Sequence, residues 1–282
     1  GGDCEKTKEY LSNFNGIEIS EPDDGISDAF NKGVIAATGE NVMFLNSGDV
    51  LLSPNYLKEA ETVMNFNPEI SFIHSDSLFE DRISGTIYME PLKSIFFKEA
   101  PIGRGMPYNH LTMIIRKRIF EKIGYFKLHY KITMDFEWVC RLQKNKFIGH
   151  YFDGEPVVRM DGGGVSSTTE QLVMWESLKA LTENNLLNPK NITGILERSA
   201  LYLGRIMLET LGMNKTLGWL KRKKHNTNWK SSSALGLKNN FSDVKTRPEQ
   251  IFPTTAPLNR VLFSQKRMGL NGLLIHDYPT GL

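Results

Sequence analysis

Residues 21–49 read EPDDGISDAFNKGVIAATGENVMFLNSGD, and this stretch decides the fold. Ile26, Ala29, Phe30, Gly33, Val34 and Ala37 recur at the spacing that lines up side chains on one face of a helix. Asp24 is placed to cap the start of that helix and Gly39 to end it. The run Asn41-Val42-Met43-Phe44-Leu45-Asn46-Ser47 is mostly apolar, which suits a strand buried on both faces. It exits into Gly48 and Asp49, a tight turn carrying a carboxylate.

The flanks extend the same alternation. Upstream, Ile17-Glu18-Ile19-Ser20 alternates as a short strand. Downstream, Ser53-Pro54 opens a second helix, with Ser at the N-cap and Pro at the first helical position. Its buried face would be Leu57, Ala60, Val63 and Met64, and EISFIHSDS (69–77) reads as the next strand. This β-α-β-α-β order implies a parallel sheet with helices on both faces. Such sheets bind ligands beyond the carboxyl ends of their strands, where Asp49 falls.

After Asp76 the pattern changes. SLFEDRISGTIYMEP (77–91) suggests a hairpin around Ser84-Gly85, and KSIFFKEAPIGRGMP (93–107) a loop. LTMII (111–115) reads as a strand, RKRIFEKIG (116–124) as a short helix stopped by Gly124, and ITMDFEWVCRLQKN (132–145) as a further helix. Short strands are expected between Phe147 and Met160, a flexible loop at DGGGVSS (161–167), and helices over 167–184 and 192–212. From residue 221 the composition shifts to KRKKHNTNWKSSS, and no sustained period follows. No internal repeat is visible.

Bulk properties narrow the class. The chain's 282 residues suffice for one large domain or a domain with an appendage. Its 40% hydrophobic and 23% charged content is globular. A net charge of +2 gives no global reason to expect a nucleic-acid partner. Cys4 and Cys140 do not make a disulfide framework, so a reducing, cytoplasmic setting is expected. No apolar run approaches the roughly 18–20 residues needed to span a membrane. No signal peptide is visible.

The run 21–49 resembles the nucleotide-sugar binding core of glycosyltransferase family 2, in its bacterial polysaccharide branch. That branch shows a Glu-Pro-Asp turn, a helix carrying Asn-Lys-Gly and a strand ending in Leu-Asn-Ser-x-Asp. NHLTMIIRKRIFEKIGYF (109–126) followed by ITMDFEWVCRL is similar to the family's acceptor-side segment, and DGGGVSS to the loop after its last core strands. The resemblance implies an α/β, Rossmann-like GT-A fold with a mostly parallel central sheet flanked by helices. The core would span 1–167, with a helical C-terminal extension over 168–225 and a tail over 226–282. It also implies that Gly1–Thr7 is the remnant of an Asp-Gly-Gly-Ser-like turn, so that the family's first strand is missing unless another segment covers the gap.

The implied chemistry is that of an inverting, hexosyltransferase-type enzyme of surface polysaccharide synthesis. It would move a sugar from a nucleotide-diphosphate sugar to a hydroxyl of a glycan or lipid-linked acceptor. Breaking the glycosidic bond places negative charge on the diphosphate, which Mg²⁺ or Mn²⁺ can neutralise. These hard cations often take only one or two protein carboxylates, so Asp49 alone is the expected metal residue. Asn46 and Gly48 stand where the family usually has a further acid; Asn46 can still hydrogen-bond the sugar or phosphate. An acceptor hydroxyl needs a base, and Asp135, opening a helix, is the first candidate, with Glu137 in reserve.

Asp23 and Asp24 are candidates for the ribose or base, against simple capping by Asp24. Lys32 is a candidate for a phosphate, against a solvated helix lysine, and His110 for the sugar or acceptor, against a structural histidine. Asp76 ends a strand and could line the cleft, and Gly162–Gly164 could act as a lid. Lys221–Lys224, following apolar-rich helices, suits anionic headgroups, which makes the inner face of the cell membrane an expected contact. Two rival readings stand beside the enzyme. One is an inactive glycosyltransferase-like fragment or binding module. The other is a nucleotidyltransferase, which would need a glycine-rich, basic phosphate loop that the sequence lacks.

Overall fold

A computed structural model describes residues 14, 16–19, 21–46, 48–53, 55–81, 86–90, 102–161, 170–213, 216, 259–263 and 273–277. The first elements follow the sequence. Strand β1 is Ile17–Ile19, helix α1 Ile26–Ala36, strand β2 Asn41–Asn46, the short β3 Val50–Leu51, helix α2 Asn55–Phe66 and strand β4 Ile70–His74. A hairpin follows, β5 (Ser77–Asp81) against β6 (Thr86–Glu90). Single 3-10 turns occupy Ile102–Arg104 and His110–Thr112. Then come β7 (Ile114–Arg116), α3 (Lys117–Ile123), α4 (Met134–Lys144), β8 (Ile148–Tyr151), β9 (Val158–Asp161), α5 (Glu170–Glu183) and α6 (Pro189–Thr210). Two last strands, β10 (Asn259–Phe263) and β11 (Leu273–Asp277), complete the described elements.

The molecule is mixed α/β, with helices flanking two sheets. The seven-stranded sheet has the order β1-β10-β11-β2-β7-β4-β8. Strands β1, β10, β2, β4 and β8 run one way, and β11 and β7 oppose them. Two segments of the tail, β10 and β11, therefore lie between β1 and β2. The second sheet, β3-β9-β5-β6, was not legible as a separate layer.

The apolar face of α1 is as the spacing predicts: Ala29, Phe30, Gly33 and Val34 are buried. Phe30 stacks on Phe44 of β2 with ring centroids 4.6 Å apart, and Phe120 and Phe126 meet Phe44 edge-on. Losing a buried aromatic ring of this kind costs about 3–5 kcal/mol, so this cluster fixes α1, α3 and the 124–133 loop on one face of the sheet. On the other face Tyr56, Leu57, Ala60 and Met64 of α2 pack against Met43, Leu45 and Ile73. Cys140 is buried in the first cluster as a free thiol.

Both ends of α1 differ from expectation. The N-cap is Gly25, at φ +114, with no side-chain cap from Asp24. Asp23 instead accepts the Gly25 N–H at 2.9 Å, and Asp28 accepts the Asp24 N–H at 3.1 Å. The helix ends before Gly39 because Ala37 turns to extended backbone, and its carbonyl accepts from the Lys117 ammonium. The hairpin turn 82–85, the loop 162–164 and the basic run 221–224 lie outside the described residues.

Candidate functional site

Topology decides which residues meet. Strand β7 runs antiparallel to β2, with Met43 opposite Ile114. The 3-10 turn that precedes β7 therefore lies along the carboxyl end of β2, and it packs against β2, β4 and β9. Its anchors are polar. Asn109 accepts the Leu111 N–H at 2.9 Å and donates to the Ser77 hydroxyl at 2.6 Å, and Thr112 accepts the Ser75 N–H at 3.2 Å. His110 is thereby set against the Phe30–Phe44 stack, 5.6 Å from each ring between centroids.

Asp135 lies in the first turn of α4 and faces His110, with Oδ2 3.9 Å from the imidazole Nδ1. Its Oδ1 accepts the Phe136 N–H at 2.7 Å. Burial pushes the His110 pKa below its ordinary value, so the ring is neutral at neutral pH, although Asp135 pulls in the opposite direction. The His110 Nε2 is buried and has no hydrogen-bond partner among the described residues.

Asp49 closes the turn after β2. Its N–H donates to the Asn46 carbonyl at 3.1 Å, and its carboxylate accepts from the Asn46 N–H at 3.2 Å and the Asp161 N–H at 2.9 Å. Desolvation raises its pKa to about 6; the hydrogen bonds pull it down, and the Asp161 carboxylate pushes it further up. The turn needs glycine at position 48, where φ is +91 and a Cβ would stand 2.6 Å from Asp161 Oδ2. Asp161 was missed in the sequence. The available signal was an acid ending the strand Val158–Asp161, the same logic that singled out Asp49.

Asp49 with Asp161, and His110 with Asp135, thus form two pairs whose chain neighbours touch. Asp161 donates to Asp49, its neighbour Met160 contacts Asn109 at 3.8 Å, and His110 faces Asp135. Asn46 belongs here too, at the end of β2. A hard divalent cation accepts one or two carboxylates with phosphate and water completing its shell, and the Asp49–Asp161 pair fits that donor set. Among the described residues no group of three or more His, Cys, Asp or Glu converges as a metal site.

Other candidates are engaged elsewhere. Glu137 is wholly buried, accepting from Arg141 at 2.9 and 3.0 Å, from Lys127 at 2.9 Å and from Asn184 at 3.3 Å. It is a structural carboxylate rather than a reserve base; its i,i+4 spacing to Arg141 was the sequence signal. Lys32 pairs with Glu21 at 2.9 Å and Asp28 at 3.1 Å and donates to the Pro22 carbonyl, so it ties down the 21–25 turn. Asp23 holds that same turn, while Asp24 is exposed. Asp76 is wholly buried, and its carboxylate lies near the Tyr151 hydroxyl, whose pKa burial raises and Asp76 raises further.

Fold and site together define an α/β protein with an Asp49–Asp161 pair after its central strand β2 and a His110–Asp135 pair beside it, the histidine on the turn before β7. No family model matches the chain. It is similar, at 23% identity over 207 residues covering 72% of the chain and 74% of the relative, to the "PGL/p-HBAD biosynthesis glycosyltransferase" of Mycobacterium bovis (strain BCG / Pasteur 1173P2). The likeness is the same, 23% over 207 residues, to the protein of that name from Mycobacterium tuberculosis (strain ATCC 25177 / H37Ra). This distant likeness supports a glycosyltransferase role in general terms.

Proposed function

We propose that the protein is an inverting glycosyltransferase of GT-A type that moves a sugar from a nucleotide-diphosphate sugar to a hydroxyl of a glycan or lipid-linked acceptor. The observation that carries this reading is the link between two acids distant in the chain: Asn109 reaches the strand that bonds Asp49, and His110, beside it, faces Asp135. Asp135 accepts the proton of the acceptor hydroxyl as that oxygen attacks the anomeric carbon from the side opposite the leaving group. The sugar–phosphate bond breaks, its electron pair leaves with the nucleoside diphosphate, and the anomeric centre inverts. Neutral His110 adds no charge to compete for the proton and walls the carboxylate off from one side. Asp49 and Asp161 would hold Mg²⁺ or Mn²⁺, which supplies charge neutralisation at the diphosphate.

The test is transfer itself. Protein, Mn²⁺ and a panel of nucleotide sugars are combined with a hydroxyl acceptor, and the product is followed by NMR. A product of inverted anomeric configuration is expected. A retained configuration sinks the mechanism. Absence both of transfer and of calorimetric heat with UDP and Mn²⁺ favours the non-catalytic binding module instead.

We further propose that the protein meets its acceptor at an anionic membrane surface. Among the described residues no helix is long and apolar enough to cross a membrane. Helix α6 nevertheless exposes Ile192, Leu196, Leu203 and Met207 at helical spacing, with Leu211 just beyond its end, and the basic run Lys221–Lys224 follows in the sequence. Binding to vesicles containing anionic lipid, weakened by salt and lost in the double variant Leu196→Glu/Met207→Glu, is expected. Equal binding by the double variant removes this face from consideration.

A further inference from the structure

The residues that carry Asp135 into place are held at almost every step. Arg141 donates to the carbonyls of Ile123, Gly124 and Tyr125 at 2.6–2.9 Å. Asn31 of α1 brackets Phe126, donating to its carbonyl and accepting its N–H, both at 2.8 Å. Ser27 donates to the Tyr130 carbonyl at 3.2 Å. The last three residues before the helix expose N–H groups with no intrahelical acceptor, and a buried donor left unpaired is costly.

One side chain satisfies all three. Glu176, on α5 and only 3% exposed, accepts the Lys131 N–H on Oε1 at 2.9 Å. Its Oε2 accepts the Ile132 N–H at 3.1 Å, the Thr133 N–H at 2.9 Å and the Thr133 hydroxyl at 3.1 Å. Thr133 is the N-cap residue of α4 and makes no side-chain cap of its own, because its hydroxyl is turned to Glu176. The N-cap residue of α4 is therefore held from outside the helix, two residues before Asp135, while Asp135 itself takes the Phe136 N–H.

We infer that Glu176 is a positioning residue for Asp135: its carboxylate fixes the backbone from which the base projects toward His110. The inference rests on the glycosyltransferase reading for its kinetic consequence, and on the hydrogen bonds alone for its structural one. A carboxylate is suited to the task because four donors converge on its two oxygens. An amide has one acceptor oxygen, and its NH₂ would face a backbone N–H. Helix α5 thus buttresses the site, a role that its Glu183, which accepts from Lys127 and Tyr130 at 2.9 and 3.1 Å, shares.

The experiment compares wild type with Glu176→Gln, and with Thr133→Val as a milder variant that removes only the hydroxyl donor. Amide hydrogen exchange is expected to speed up at residues 131–137 in Glu176→Gln while strand 41–46 stays as protected as in wild type. Its kcat should fall about tenfold to a hundredfold, the usual cost of a small misplacement, with donor KM within about twofold. Thr133→Val should show the same split with a smaller fall. Unchanged exchange at 131–137 overturns the inference, as does loosened exchange with unchanged kcat, or a loss carried by donor KM. A wild type that transfers nothing defeats the glycosyltransferase reading, whereas the exchange arm still decides whether Glu176 holds the helix start.

Discussion

Asp135→Asn is expected to lower kcat by about 10²–10⁴-fold, the usual contribution of a positioned base, while leaving donor binding nearly intact. The asparagine keeps the size of the side chain and an oxygen to accept the Phe136 N–H, so α4 should start as before. What it removes is the ability to accept a proton from a hydroxyl. The checks are kcat from initial rates and donor affinity by calorimetry on the same preparation. A variant with more than about a tenth of wild-type kcat would move the base elsewhere. Glu137 could not inherit the role, since Lys127 and Arg141 hold it inside the protein.

Asp49→Asn should act at the other end of the reaction and through a different pH signature. If Asp49 serves the diphosphate as proposed, its loss is expected to cost about a hundredfold or more in turnover, and to abolish the response to added Mn²⁺. Stability should change in a characteristic way. The folded protein holds the Asp49 proton up to a pKa of about 6, against an ordinary value of 3.8. Between those values the folded state binds more protons than the unfolded state, so the wild type loses stability as pH rises through that window. The asparagine variant does not titrate there. In chelator, the stability of Asp49→Asn relative to wild type should therefore rise from pH 4 to pH 7, as followed by thermal unfolding. A difference that is flat, or that falls, would show that burial does not strain this carboxyl.

Local features made the fold legible. The α1 stripe from Ile26 to Ala37, the apolar run of β2 and the Gly124 stop of α3 each depend on residues a few positions apart, and the structure has them all. Asp49 and Asp135 stand out as candidates for the same reason, one following a strand and the other opening a helix. The illegible parts depend on distance along the chain. Asp161 reaches Asp49 across 112 residues, and Glu176 reaches Thr133 across 43, pairings that no local pattern encodes. The caps of α1 failed for another reason. Asp23, Asp24 and Asp28 all offer carboxylates to the same few N–H groups, and only the settled backbone decides among them.

The turn at Gly48 has a consequence for how acidity can be arranged beside Asp49. A side chain at that position would place its Cβ 2.6 Å from Asp161 Oδ2 and would have to hold φ +91, so an acid built into the loop must displace Asp161 and strain the backbone together. Placing an acid at position 48 of this scaffold therefore calls for a rebuilt turn as well as room beside Asp161, rather than a single replacement.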